Sequence, residues 1–372
     1  MIEARVALLT NFIPPYRVPV LKRLTERVRE FRIFVSTNME SDRLWVGNHA
    51  GLPVTIQRSL TLKGVLRHGL GYIDRRDVHI PYDTLFQLIK FHPDVIISGE
   101  LGVRTTLAMT YAVVTGSKLV IWATLSERTE AARGLLRRAL RRALFPRAHR
   151  VLVNGESGRR YVQRFGVPPE KVICVPQSSR LVSQKHLYSF FQGGPGRLLY
   201  VGYLEQLKGL APFVAVLSRW CEQHVSRRVV LTVVGEGPVR AQLESMHPPA
   251  NLSVNLIGNV GYEQVAAYYR AADLFVFPTL GDEWGLVVNE ALASGLPVVG
   301  SVYSQAVEEL VRTGENGWTF APDEPESMSR ALDDALSADE PTLTKMREAA
   351  KKSVEWLTPE YTAERILEAI TS

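Results

Sequence analysis

The sequence predicts an α/β protein of two tandem domains, each a doubly wound parallel sheet, with ligands taken in the crevice between their carboxyl edges. Three observations carry this. Short β-branched apolar runs alternate with helix-period patterns along the chain, and the alternation breaks at a turn-rich stretch, 178–196, and then restarts. Charge divides near the same place: residues 1–185 hold 30 Lys and Arg against 14 Asp and Glu (+16), and 186–372 hold 14 against 24 (−10). At 372 residues the chain is also longer than one core usually organises. The expected layout is a first domain over 1–178, joined by a C-terminal helix over 357–372; a linker over 179–196; and a second domain over 197–356.

The elements follow in order. RVALLT (5–10) is a buried strand, because an acid precedes it and no small-residue cleavage site follows, unlike a signal peptide. VPVLKRLTERV (18–28) has helical spacing. FRIFVS (31–36), PVTIQ (53–57), DVIISG (94–99), KLVIWA (118–123), RVLVN (150–154) and KVICV (171–175) are the remaining strands of the first half, with a helix at 82–91. Most are continuous apolar runs, as parallel strands covered on both faces require. RGLLRRALRRALFPRAHR (133–150) reads as a basic helix whose Leu136, Leu140 and Leu144 make an apolar stripe that packs on the first domain. Strands resume at 197–202, 229–235, 251–258, 273–278 and 296–300, and PEYTAERILEAI (359–370) is an amphipathic helix.

Composition narrows the function. Apolar content of 46% and charged content of 22% are those of a globular protein, and no apolar run reaches the length needed to span a bilayer. Cys174 and Cys221 give no disulfide framework and fit a reducing cytoplasm. The eight His are scattered without metal-ligand spacing, so no metal is expected. The basic helix lacks the interleaved aromatics or recognised fold of a nucleic-acid reader. It suits an anionic membrane surface, so peripheral docking at the inner face of a membrane accompanies the cytoplasmic expectation.

The chemistry concentrates in TLGDEWGLVVNEALASGLPVV (279–299), a turn after a strand followed by a helix. Amides at Gly285, Leu286 and Val287 would be the open donors of a helix start, a natural phosphate seat. Glu290, one turn in, could accept hydrogen bonds from a vicinal diol, and Asp282 or Glu283 could do so at the other end. Diphosphate in the middle with hydroxyls at both ends describes a nucleotide sugar. Read singly, Asp282 and Glu283 are acids of a helix first turn and Glu290 a solvated helix residue.

FVFPTLGDEWGLVVNEALASGLPVVGS and EELVRTGENGWTF resemble the signature of retaining glycosyltransferases of family 4, the group 1 glycosyltransferases. LLYVGYLEQLKGL (198–210), VVGEGPVR (233–240), LIGNVGYEQVAAYYRAADLFVFP (256–278) and VEWLTPEYTAERILEAI (354–370) follow in the family's order, whereas the first half matches only in its alternation and in 150–176. The resemblance implies the GT-B fold of two Rossmann-like domains. It also implies a nucleoside-diphosphate sugar as donor substrate with no permanently bound cofactor, and a glycan, lipid-linked or small-molecule acceptor.

Anchored on Trp284 and Gly285, it implies that Glu290 binds ribose hydroxyls and that the acid at 282 holds a hydroxyl of the moving sugar. Lys208 would neutralise the departing diphosphate; read from the residues alone, it is a surface lysine at a helix start. Gly202, Gly235, Gly237 and Val260 would line the donor site through backbone. Two departures stand out: Asp282 where Glu is usual, followed by Glu283, and Tyr203 where an Arg often supplies a second cation. Arg17 and Arg104, just past predicted strand ends, are the replacements to test. Asn11, Tyr16, Arg17, Glu100, Arg104 and Glu127 are the expected first-domain side of the crevice. A non-catalytic GT-B homologue that binds nucleotide or a partner, and a sugar-nucleotide epimerase on the same fold, are the rival readings.

Overall fold

The computed structural model describes residues 1–38, 49, 51–67, 73–99, 101–131, 134–179 and 196–372. The chain forms two compact units, residues 1–178 with 357–372, and residues 179–356. The linker stretch 180–195, Glu100 and Arg133 lie outside the described residues.

Unit 1 runs β1 (Ile2–Thr10), α1 (Val18–Arg27), β2 (Val28–Val35), β3 (Val54–Ile56), β4 (Ser59–Arg67), β5 (Ile73–Pro81), α2 (Thr84–Phe91), β6 (Val95–Ser98), α3 (Val103–Thr115), β7 (Lys118–Ala123), α4 (Leu135–Leu144), β8 (Arg150–Val153), α5 (Glu156–Gln163) and β9 (Val172–Cys174). Its parallel sheet has the order β3-β2-β1-β6-β7-β8-β9. Alternate residues of a strand point to opposite faces, and both faces are filled. Val6 and Leu8 join the core under α1, and Ala7 and Leu9 join the core under α2 and α3. β4 and β5 form an antiparallel pair outside this sheet, which the sequence reading missed.

Unit 2 runs β10 (Arg197–Val201), α6 (Leu210–Gln223), β11 (Val229–Val234), α7 (Arg240–Glu244), β12 (Leu252–Gly258), α8 (Tyr262–Ala271), β13 (Leu274–Phe277), α9 (Leu286–Ala293), β14 (Val298–Ser301), α10 (Gln305–Leu310), β15 (Gly317–Phe320), α11 (Pro325–Leu336) and α12 (Glu340–Val354). Its sheet has the order β12-β11-β10-β13-β14-β15, again wholly parallel. The edge strand β15 was not read from the sequence. Asp273 anchors this unit: fully buried, it accepts from the Gly196 and Arg197 amides and faces the guanidinium groups of Arg197 and Arg347.

Past residue 356 the chain returns to unit 1 as α13 (Pro359–Thr371), capped by the Thr358 hydroxyl, which accepts from the Tyr361 amide. Ala363, Ile366, Leu367 and Ile370 of α13 enter the same core as α1. Hydrophobic burial holds α13; the exposed Arg23–Glu360 and Arg27–Glu364 pairs add little.

The basic helix differs from expectation. It is α4 over Leu135–Leu144 followed by one tight turn, Phe145–Arg147, and not a helix over 133–150. Leu144 is buried, yet Leu136 is 85% exposed, beside Leu135 at 81%. Arg141 instead turns inward and pairs with Glu130, which also accepts from the Tyr161 phenol at 3.1 Å. Leu140 and Leu144 pack on the first-domain core as expected, and only the stripe's first member, Leu136, stays exposed. Among the described residues no helix is long and apolar enough to cross a membrane.

Candidate functional site

In a doubly wound sheet a crevice opens at the carboxyl edge where strand order reverses. In unit 2 this falls between β10 and β13, which pair directly while their following helices depart to opposite sides. The loops after these two strands carry Lys208 and Asp282, so topology alone brings together two residues far apart in sequence.

The loops are stitched to one another by backbone. The Gly202 amide donates to Val234 at 3.0 Å, Leu204 to Glu236 at 2.8 Å, Gly235 to Gly258 at 2.9 Å, Leu280 to Leu207 at 2.8 Å, and Asp282 to Tyr303 at 3.1 Å. Gly235 permits this: a Cβ there would lie 1.9 Å from the Gly202 carbonyl oxygen. Gly237 sits in the same way against Leu204, so both glycines serve close backbone packing.

Lys208 ends a tight turn, Gln206–Lys208, ahead of α6. Its Nζ lies 2.7 Å from Asp282 Oδ2 and 4.0 Å from Glu205 Oε1. Burial works against its charge, but attraction to Asp282 and the hydrogen bond the ammonium donates to it, with Glu205 and Glu283 beyond, outweigh it and hold the ammonium above the ordinary lysine range. The other oxygen of Asp282 accepts from the Trp284 amide at 3.2 Å. One carboxylate therefore ties the cation to the corner that starts α9. The sequence reading gave Asp282 to a sugar hydroxyl and missed this ion pair.

That corner is rigid. The Trp284 indole is buried and donates to Asn289 Oδ1 at 3.0 Å, while the Trp284 carbonyl accepts from the Ser304 hydroxyl and the Ala306 amide. The Glu283 carbonyl accepts from the Gln305 side chain at 2.7 Å. Gly285 has φ +106°, a conformation L side chains rarely adopt, and an added Cβ would lie 2.8 Å from the Phe277 ring and 2.9 Å from Ser304 Oγ. Leu286 and Val287 then open α9, half-buried, with their amides at the positive end of the helix.

Glu290 lies one turn into α9, half-buried, and accepts from the Tyr269 phenol at 3.0 Å. Burial pushes its carboxyl up to about 7, against the Tyr269 hydrogen bond, which pulls the other way. It is not a solvated helix residue. Tyr269, Asn289, Ser304 and Gln305 are the supporting residues that sequence reasoning missed; only their polarity inside apolar stretches could have flagged them. Val260 is half-buried in the loop before α8, and Tyr203 is 55% exposed, bringing no charge.

Unit 1 has its own reversal, between β1 and β6. Arg104 is not a surface arginine: it is 3% exposed and donates to Asn11 Oδ1 at 2.9 Å and to the Ser36 hydroxyl, bracing the ends of β1 and β2. Glu127 pairs with Arg160 at 2.8 Å and with Arg164, which neutralises it. Arg17 lies with its guanidinium carbon 4.4 Å from the centre of the Trp122 ring and 5.9 Å from that of Tyr16.

Two doubly wound parallel-sheet units are the architecture of the GT-B class of glycosyltransferase folds. Residues 188–353 match the family described as glycosyl transferases group 1. Over 202 residues the chain is 31% identical to an amylovoran biosynthesis glycosyltransferase of Erwinia amylovora, covering 52% of this chain and 46% of that protein. The chain spans about a third to a half of the length of the curated relatives it matches first. Among solved structures, the fold is similar to the apo form of the lipopolysaccharide outer core galactosyltransferase WaaB, with TM-score 0.72 and 12% identity over 98% of this chain and 99% of that one. It is also similar to Anabaena HepE in complex with UDP-glucose, with TM-score 0.69 and 14% identity over 99% and 100%.

Proposed function

We propose that the protein is a retaining glycosyltransferase that moves a hexose-type sugar, without a metal, from a nucleoside-diphosphate sugar to a glycan, lipid-linked or small-molecule acceptor. Unit 2 takes the donor and unit 1 the acceptor. The observation that carries this is the convergence of Lys208, Asp282 and the start of α9 on one switch point, with Glu290 one turn further on. The diphosphate sits on the amides of Leu286 and Val287. Ionised Glu290 accepts from the ribose hydroxyls. Asp282, with Glu283 beside it, takes a sugar hydroxyl, and Lys208 offsets the charge that develops on the diphosphate. The acceptor oxygen bonds to the anomeric carbon from the face the diphosphate leaves. The bond to the diphosphate oxygen breaks, and that diphosphate receives the acceptor's proton.

A second reading, a binding-only homologue, draws on Tyr203, which leaves the usual second cation out, and on the Lys208–Asp282 pair, which already neutralises the first. A thermal-shift screen of UDP, GDP, TDP and ADP, followed by nucleotide release from the matching sugars, separates them. The expected result is one nucleotide that raises Tm, by the roughly 2.7 kcal/mol that a hundredfold excess over Kd gives, and turnover of its sugar conjugate. Stabilisation without turnover supports the binding-only homologue; no stabilisation by any of the four sinks both.

The partner surface proposed for the acceptor's side is the start of α4, where exposed Leu135 and Leu136 stand among exposed Arg137, Arg138 and Arg142. Two leucines entering an anionic bilayer, with about 1 kcal/mol from each basic residue near it, give measurable docking. Leu135→Ser with Leu136→Ser is expected to cut co-sedimentation with phosphatidylglycerol vesicles by about tenfold or more. Equal sedimentation of variant and wild type removes the surface from consideration.

A further inference from the structure

Resting on the reading of unit 1 as the acceptor side, we propose that Arg17 and Trp122 form an oxyanion site, so that the acceptor carries a phosphate or carboxylate group. Two other charged groups near the switch point of unit 1 are already engaged. Arg104 is locked to Asn11 and Ser36, and Glu127 to two arginines. Arg17 makes no ion pair among the described residues, and its guanidinium carbon lies 4.4 Å from the centre of the Trp122 ring.

Two donors in this stack are buried without an acceptor: Nε of Arg17, and Nε1 of Trp122, a side chain that is 3% exposed. Buried N–H groups without partners are rare, because desolvation is then uncompensated. Arg17 also directly precedes Val18, the first residue of α1, so a cation stands at the positive end of a helix. Stability alone disfavours that placement. One oxyanion offsets all three costs: it accepts from the guanidinium fork, offers an acceptor beside the indole, and answers the helix dipole. The two prolines before it, Pro14 and Pro15, stiffen the approach, so the site is largely formed in advance. An indole and a guanidinium give planar, forked recognition of an oxyanion, which a neutral sugar hydroxyl does not need.

The indole N–H of Trp122 is its own reporter. In a proton–nitrogen correlation spectrum of the full chain, Trp122→Phe identifies its cross-peak. Inorganic phosphate, and in a second arm acetate, is titrated at constant ionic strength with chloride as the balancing anion and UDP present to occupy unit 2. The expected result is a saturable shift of this peak. Arg17→Gln should weaken the apparent affinity about tenfold or more, and Arg17→Lys, which keeps charge but not the fork, should weaken it less. Saturation by phosphate and not acetate assigns a phosphate-bearing acceptor, and the reverse a carboxylate. A peak that does not move, or moves alike for chloride and in Arg17→Gln, overturns the proposal. UDP's own effect on the peaks of unit 2 reports separately whether the donor reading stands. Remaining peaks that match the wild type show that the variants are folded.

Discussion

Lys208→Met is expected to lower the rate of sugar transfer about a thousandfold while weakening nucleoside-diphosphate binding much less. A unit charge about 4 Å from a phosphate oxygen, at an effective dielectric near 20, is worth roughly 4 kcal/mol. Only the part that grows as the glycosidic bond breaks raises the rate, and the leaving diphosphate gains its charge in that step. The pair with Asp282 at 2.7 Å prepares the lysine: it keeps the ammonium charged in a half-buried setting and fixes its position beside α9. The same pair complicates a single substitution, because Lys208→Met strands the Asp282 carboxylate. The cycle of Lys208→Met, Asp282→Asn and the double variant resolves this. Denaturant midpoints should recover in the double variant, whereas single-turnover release of nucleotide should not. A Lys208→Met enzyme that keeps its rate within about tenfold would exclude the leaving-group role.

The second large effect belongs to Glu290, and it has two opposite signs. Its carboxyl must be ionised to accept from two ribose hydroxyls, and burial has raised it from an ordinary 4.5 to about 7. Nucleotide affinity should therefore rise about tenfold between roughly pH 6 and pH 8, following the ionised fraction. For the free protein the sign reverses. A carboxyl raised on folding gives stability that is full below its unfolded value and is lost as pH climbs through about 7. At about pH 8 the ionised Glu290 then costs up to roughly 3 kcal/mol, which Glu290→Gln removes. The variant should melt higher than wild type at alkaline pH, bind nucleotide weakly, and show no pH dependence of that binding. Calorimetric titration and melting curves at both pH values test this together; a variant that melts lower at the alkaline value would falsify the account of Glu290 as a carboxylate held under strain for a ligand.

How far the sequence reached depended on the range of the signal. Periodicity is local, so β1 and β10 through β14 were legible as apolar runs, and α13 as an amphipathic helix. The β4–β5 pair was missed because its alternation is mixed with Lys63 and Gly64, and its register depends on a partner. The α4 stripe held only in part for a related reason: spacing places Leu136, Leu140 and Leu144 on one side of a helix, and Leu140 and Leu144 do pack on the core, but spacing cannot say that Leu136 stays uncovered. Arg104, read as a crevice cation that could replace the missing family Arg, is buried because Asn11 and Ser36, both far from it in sequence, close over it.

Alone, the order of residues determined the two parallel-sheet domains, the turn between β13 and α9, and Asp282 and Glu290 as acids to watch, whereas Lys208 was marked out only by the family resemblance. The domains, the turn and the two acids are written in spacing over a few turns or a single loop. Tertiary structure decided what those groups do to one another: that Asp282 holds Lys208 across 74 positions of sequence, that Tyr269 faces Glu290 as burial raises its carboxyl, and that Arg17, with no ion pair among the described residues, lies beside a buried indole. The reason is electrostatic. A charge takes its protonation and its partner from everything within a few ångströms, and a doubly wound sheet gathers those neighbours from loops that the chain visits far apart.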